Sequence, residues 1–201
     1  MTQQALVTLD LEGVLTPEIW IAVADTTGIA GLRRTTRDEP DYDVLMRGRL
    51  HLLAEHGITL SPISDVIAGL PVLDGARDFL DELRARVQVV ILSDTFEQFA
   101  APFMRQLGMP TILCHRLEVS DDRIVGYRLR QPDQKRHAVL AFRRLNYHVS
   151  AAGDSYNDSS MLGAADCGVW FHAPASIREQ FPQFPATDDY GELLTLLTAE
   201  R

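Results

Sequence analysis

The chain has 201 residues, 46% hydrophobic and 23% charged, a globular composition that fits one good-sized domain or a core with a small insertion and excludes disordered, fibrous and low-complexity classes. Nineteen Lys and Arg against 28 Asp and Glu leave a formal charge of −9, which makes a poor nucleic-acid binder, because that affinity rests mainly on cations that neutralise phosphates. The same acid excess suits a protein that gathers carboxylates around a divalent cation.

The N-terminal MTQQALVTLDLEGV has neither a basic region nor a sustained apolar one, and no apolar run approaches the ~20 residues a bilayer span needs. A cytoplasmic setting without a membrane partner is therefore expected. The first strand is Ala5–Leu11 (ALVTLDL). From Pro17 to Gly69 the texture changes and strand signals vanish. Helical patterns cover Pro17–Thr27, Asp41–His56 and Ser61–Gly69, which we read as an all-helical insertion over the carboxyl edge of a sheet, where open α/β sheets bind ligands. Asp74–Arg86 is then helical, Val87–Ser93 a strand, Thr95–Leu107 a helix and Thr111–His115 a weaker strand. Leu117–Leu129 alternates around Ser-Asp-Asp-Arg as a β-hairpin. Helix Pro132–Leu145, strand His148–Ala152, helix Ser155–Ala164, strand Cys167–Phe171 and helix Asp188–Ala199 complete the chain.

Short β-branched runs separated by helical segments specify an α/β fold, a Rossmann-like parallel sheet with helices on both faces, plus the small helical insertion after the first strand. The expected division is a core of 1–14 and 75–201 and a cap of 15–74. Cys114 and Cys167 lack metal-ligand or redox spacing and read as buried reduced thiols. The six histidines are likewise without metal-ligand spacing, Trp20 and Trp170 read as packing residues, and the FPQFP run as a loop locked by two prolines.

The first strand ends in Asp10-Leu11-Glu12-Gly13, and strand alternation sends both acids to one side. Alone, the pair could be solvated residues at a strand end. The third strong strand ends in Gly153-Asp154-Ser155-Tyr156-Asn157-Asp158, where Asp154 could be a helix N-cap and Asp158 a complement to the helix dipole. If the two strand ends adjoin, Asp10, Asp154 and Asp158 converge on an oxygen-rich site suited to Mg²⁺ beside a phosphate. Leu92-Ser93-Asp94-Thr95 offers a hydroxyl and helix-start amides as an anion cradle. Lys135, at a helix start, opposes the dipole and so points to a role other than helix stability.

Taken in this order, LDLEGVL, ILSD, Lys135 and GDSYND resemble the four motifs of the haloacid-dehalogenase superfamily of phosphotransferases, over nearly the whole chain. Within it, the small helical insertion is similar to that of the phosphoserine phosphatases. DLEGVL, PEIWIA, ILSDTF and AAGDSYND are similar to the bacterial kind with both phosphoserine phosphatase and homoserine phosphotransferase activity. The resemblance implies Asp10 as nucleophile, Glu12 as general acid/base and Lys135 and Ser93 as phosphoryl ligands. It further implies Mg²⁺ held by Asp10, the Glu12 carbonyl and Asp154, with Asp158 behind them. Asp94 and Asn157 are implied to contact substrate, as are Glu18, Arg49 and Tyr42 at its amino-acid end. Phosphoserine is the implied donor, homoserine an acceptor, and a homodimer compatible. Most phosphatases of this type carry Asp where this chain has Glu12, whose longer arm reaches toward a bulkier acceptor than water. A phosphatase of another small metabolite, a receiver module phosphorylated on Asp10, and a silent Mg²⁺-binding protein are the rival readings. The helical insertion and the GDSYND motif argue against the receiver.

Overall fold

A computed structural model of the chain describes residues 3–35, 38–39 and 41–199. Seven strands form one sheet: β1 (Gln4–Leu9), β2 (Gln88–Phe96), β3 (Thr111–Ser120), β4 (Arg123–Arg128), β5 (Tyr147–Gly153), β6 (Cys167–Phe171) and β7 (Ala186–Thr187). Their order is β4-β3-β2-β1-β5-β6-β7, parallel throughout except for the antiparallel β3–β4 edge pair. The chain leaves central β1 toward β2 on one side and later returns to β5 on the other. That reversal is the switch point where open α/β sheets place their ligands.

Strand alternation builds the two layers. Val7, Leu9 and Ile91 face one buried cluster, whereas Leu6, Val90 and Leu92 face the other. Helices α4 (Ala76–Arg86), α5 (Glu97–Gln106) and α9 (Tyr190–Thr198) cover the first face, and α6 (Gln134–Arg144), α7 (Ser159–Ala164) and α8 (Ala175–Gln180) the second. In α4, buried Ala76, Phe79, Leu80 and Leu83 recur at helical spacing, so one stripe meets the sheet while Arg77, Asp81 and Arg84 pair outside.

Between β1 and α4 lie α1 (Ile19–Thr27), a 3₁₀ turn (Ala30–Arg33), α2 (Tyr42–Glu55) and α3 (Leu60–Ala68). Their buried Val23, Leu32, Met46, Leu53, Ile63 and Ile67 belong to the same cluster as Leu9, Phe96 and Phe99 of the sheet layer. The insertion thus shares its apolar core with the sheet, each such side chain contributing about 1.5–3 kcal/mol on burial. Asp121 and Asp122, at φ 49° and 64°, form the two-residue left-handed turn joining β3 to β4. Asp122 accepts from Ser61 at the start of α3, and the Tyr127 hydroxyl of β4 donates to Asp43 of α2, so the hairpin braces the insertion.

Several elements depart from the sequence expectation. The TILCH strand and the first hairpin arm are one continuous strand, β3. The segment expected as one helix over Ser155–Ala164 opens with a 3₁₀ turn, Tyr156–Asp158. Strand β2 runs on to Phe96 across a register shift after Leu92, so α5 starts at Glu97 instead of Thr95. The short α8 and β7 and the 3₁₀ turn at Ala30 carry too few residues to set up a periodicity. Both cysteines are buried and neither is in a disulfide. Among the described residues no helix is long and apolar enough to cross a membrane.

Candidate active site

Leu9 lies opposite both Ile91 and Ala152, which brings the carboxyl ends of β1, β2 and β5 together. The Asp10 N–H donates to the Ala152 carbonyl at 3.0 Å and carries the pairing one residue past β1. Because β1 stops at Leu9, simple alternation does not govern Asp10 and Glu12. They reach one cleft through the turn at Gly13, whose φ is +78°. A Cβ on Gly13 would lie 2.4 Å from the Asp154 carboxyl carbon, and one on Gly153 would lie 2.3 Å from that of Asp158. Only glycine permits this approach of backbone to carboxylates. Gly13→Ala is therefore expected to displace Asp154 and weaken divalent-cation binding about 10- to 100-fold by calorimetric titration. Unchanged affinity would contradict this placement.

Carboxylate oxygens of Asp10, Asp154 and Asp158 lie within 4.8 Å of one another, all three residues buried. Lys135, from the first turn of α6, sets its Nζ 2.9 Å from Asp10 Oδ2 and 2.7 Å from Asp158 Oδ1. Asp158 Oδ2 accepts from the N–H groups of Asp154 and Ser155, so this side chain ties the motif's backbone while holding the lysine. Burial and then the Asp158 charge push the Asp10 carboxyl well above its usual range, against the pull of Lys135. Burial alone would lower Lys135, but Asp10, Asp158 and Asp94 hold it above the ordinary lysine value. Three buried acids against one base leave a deficit of positive charge. Hard oxygen donors in this number fit Mg²⁺.

The cleft has a volume of about 400 Å³ and extends from this acidic floor to the insertion. Glu12 Oε2 accepts from the Ile19 N–H at 2.9 Å. Burial, reinforced by the nearby charge of Glu18, pushes Glu12 up to about 7. Glu18 itself is exposed at the entrance to α1 and lines the cleft. Arg49, 7% exposed, lies over the Trp20 ring at 4.5 Å and donates through Nη2 to the Arg34 carbonyl, yet its buried Nε has no partner. Burial lowers it to about 10. Trp20 is thus a platform for the guanidinium as well as a packing residue. The Tyr42 hydroxyl donates to the Asp94 carbonyl at 2.9 Å.

The Ser93–Thr95 cradle is built differently from the expectation. The Thr95 N–H is taken by Ser93 Oγ at 3.2 Å, because the strand continues where a helix start was expected. Ser93 still lines the cleft. Asp94, expected to touch substrate, spends its carboxylate on protein groups: Gln134 Nε2 at 3.2 Å, Asn157 Nδ2 at 2.9 Å and Lys135 at 3.9 Å. Burial opposes its ionisation, but Lys135 and hydrogen bonds from His115, Asn157 and Gln134 hold it well below the usual carboxylate range. Gln134 and His115 carried no motif signal. Only the position of Gln134, one residue before Lys135, and that of His115, at the end of an apolar run, could have drawn notice.

A model of the haloacid dehalogenase-like hydrolases matches residues 19–163. Phosphoserine phosphatase ThrH of Pseudomonas aeruginosa is 61% identical over 186 residues, 92% of this chain and 91% of that protein. The chain belongs to the haloacid dehalogenase-like hydrolases. A phosphoserine phosphatase of Pseudomonas syringae pv. tomato is also 61% identical, over 92% of this chain and 78% of its own length. Among solved structures, phosphoserine phosphatase from T. onnurineus superposes with a TM-score of 0.75 at 25% identity, covering 99% of this chain and 96% of that one. The acidic floor and Lys135 thus lie within a known hydrolase fold.

Proposed function

We propose that this hydrolase moves the phosphoryl group of phosphoserine, through an aspartyl-phosphate on Asp10, to water or to homoserine. One observation carries the reading: a single cleft has Asp10 and Lys135, 2.9 Å apart, at one end and the buried, partly unpartnered Arg49 with Glu18 at the other. The first end suits a phosphate. The second suits a zwitterion, Arg49 for the carboxylate and Glu18 for the ammonium, with Tyr42 lining the same cleft. Identity of 61% to two proteins named phosphoserine phosphatase supports the substrate.

Asp10 attacks phosphorus and the seryl oxygen leaves with the proton of Glu12. Glu12, now a carboxylate, takes the proton of water or of the homoserine hydroxyl as that oxygen attacks phosphorus and Asp10 is released. Lys135 neutralises phosphoryl oxygens, Ser93 donates to them, and Asn157 contacts the phosphoryl end. Asp10, Asp154 and the Glu12 carbonyl would hold Mg²⁺, with Asp158 steadying Lys135 and the backbone behind them. Bound there, Mg²⁺ supplies charge that offsets the repulsion between Asp10 and an incoming phosphate. The 15–74 insertion acts as the cap over this cleft, in a cytoplasmic enzyme whose partners are small molecules.

A panel of phosphate esters tests the substrate. Phosphoserine is expected to exceed phosphoethanolamine and phosphoglycolate in kcat/KM, and Arg49→Met to erase the advantage conferred by the carboxylate. Equal use of all three esters would assign the cleft to another phosphorylated metabolite.

The state of Glu12 gives a pH prediction. As the acid of the first step it must be protonated, so phosphoenzyme formation falls as pH rises through about 7. Glu18→Gln removes the neighbouring negative charge and is expected to move that limb down by about one unit. A limb that stays in place, measured in single turnover, would contradict the assignment.

A further inference from the structure

Behind the phosphoryl end lies a buried imidazole that does not line the active cleft. His115 of β3 is 4% exposed, and its ring is addressed on both sides. Nδ1 accepts the Arg130 N–H at 3.1 Å, which leaves the neutral ring's proton on Nε2, 3.5 Å from Asp94 Oδ1. The Arg130 side chain meanwhile donates to Gln134 Oε1 at 3.0 and 2.9 Å, and Gln134 Nε2 donates to Asp94. Arg130 therefore directs two donors onto one carboxylate, His115 through its backbone and Gln134 through its guanidinium.

That carboxylate is half-buried and borders open space on two sides. Tyr42, Asp94, Lys135 and Asn157 line both the active cleft and a second cavity of about 480 Å³, which His115 and Gln134 line from behind and into which an unfastened Asp94 could turn. Hydrogen bonds must fix it. Once fixed, Asp94 Oδ2 orients the Asn157 amide at 2.9 Å and stays 3.9 Å from Lys135, leaving the ammonium to Asp10 and Asp158. Without its His115 donor, this half-buried carboxylate would compete for the nearest cation, which is Lys135.

We propose that His115 is a positioning residue for phosphoryl transfer: by anchoring Asp94 it sets the Asn157 amide and the Lys135 ammonium at the phosphoryl end of the cleft. This rests on the phosphoryl-transfer reading above and adds residues that none of the four motifs contains.

His115→Phe keeps the ring and removes both nitrogens, while His115→Gln restores an N–H donor. At saturating Mg²⁺, His115→Phe is expected to lower kcat about 10- to 100-fold with KM nearly unchanged, and His115→Gln to recover most of the loss. The same pattern is expected with p-nitrophenyl phosphate, which has no amino-acid part. Wild-type turnover of that ester alone would overturn phosphoserine as substrate and leave the His115 comparison readable. Wild-type kcat in His115→Phe, or equal losses in the two variants, would overturn the proposal. Histidine ¹⁵N spectra of the unsubstituted protein test it without any variant: Nε2–H on His115 supports it, and Nδ1–H overturns it.

Discussion

Asp10→Asn abolishes turnover, by about 10⁴-fold or more, and leaves no phosphoenzyme detectable by intact mass. The amide keeps the size of the side chain and an oxygen for the Leu11 N–H, which donates to Asp10 at 2.7 Å. What disappears is the nucleophile. The fold is expected to tolerate the change, because burial and the Asp158 charge already disfavour ionised Asp10. Thermal stability should therefore hold or rise while activity is lost. That opposition separates a nucleophile from a structural acid. Normal turnover in the variant would remove Asp10 from the reaction.

Lys135→Met is expected to damage both stability and rate. The lysine is 2% exposed and contacts Asp10 and Asp158, with Asp94 at 3.9 Å. Removing one partner of such a buried group costs about 3–5 kcal/mol, since the acids left behind lose their compensating charge. For a chain of this size that loss corresponds to a fall in Tm of roughly 6–20 °C. Excess Mg²⁺ should restore part of it, being an alternative cation for the same acids, without restoring kcat, which falls about 10³-fold. An unchanged Tm in EDTA would show that the acids do not need the ammonium.

The strands were legible because burial on both faces demands nearly continuous apolar runs, as in Val89–Leu92 and, interrupted only by the small buried Ser150, Val149–Ala152. The acids at their ends were legible because β1 and β5 close with carboxylates that nothing apolar explains. Less visible was how the backbone allows these groups to meet. Gly13 and Gly153 look like ordinary turn residues until their Cβ positions are set against Asp154 and Asp158. The end of β2 departs from expectation because Ser93-Asp94-Thr95 has helix-start chemistry, whereas the structure satisfies Thr95 through Ser93 Oγ and continues the strand. His115, Gln134 and Arg130 lie far from Asp94 in sequence and act through hydrogen bonds that only the topology of β2, β3 and α6 creates. Trp20 is a packing residue as expected, but its service to Arg49 depends on how α1 faces α2.

The central claim is that one cleft takes phosphoserine and passes its phosphoryl group through Asp10 to either of two acceptors. The protein incubated with phosphoserine and Mg²⁺, with and without homoserine, tests this directly through the amounts of inorganic phosphate and phosphohomoserine formed. Phosphate alone is expected without homoserine, and phosphohomoserine at the expense of phosphate as homoserine is raised, the total following consumed phosphoserine. Neither product from phosphoserine would contradict the account.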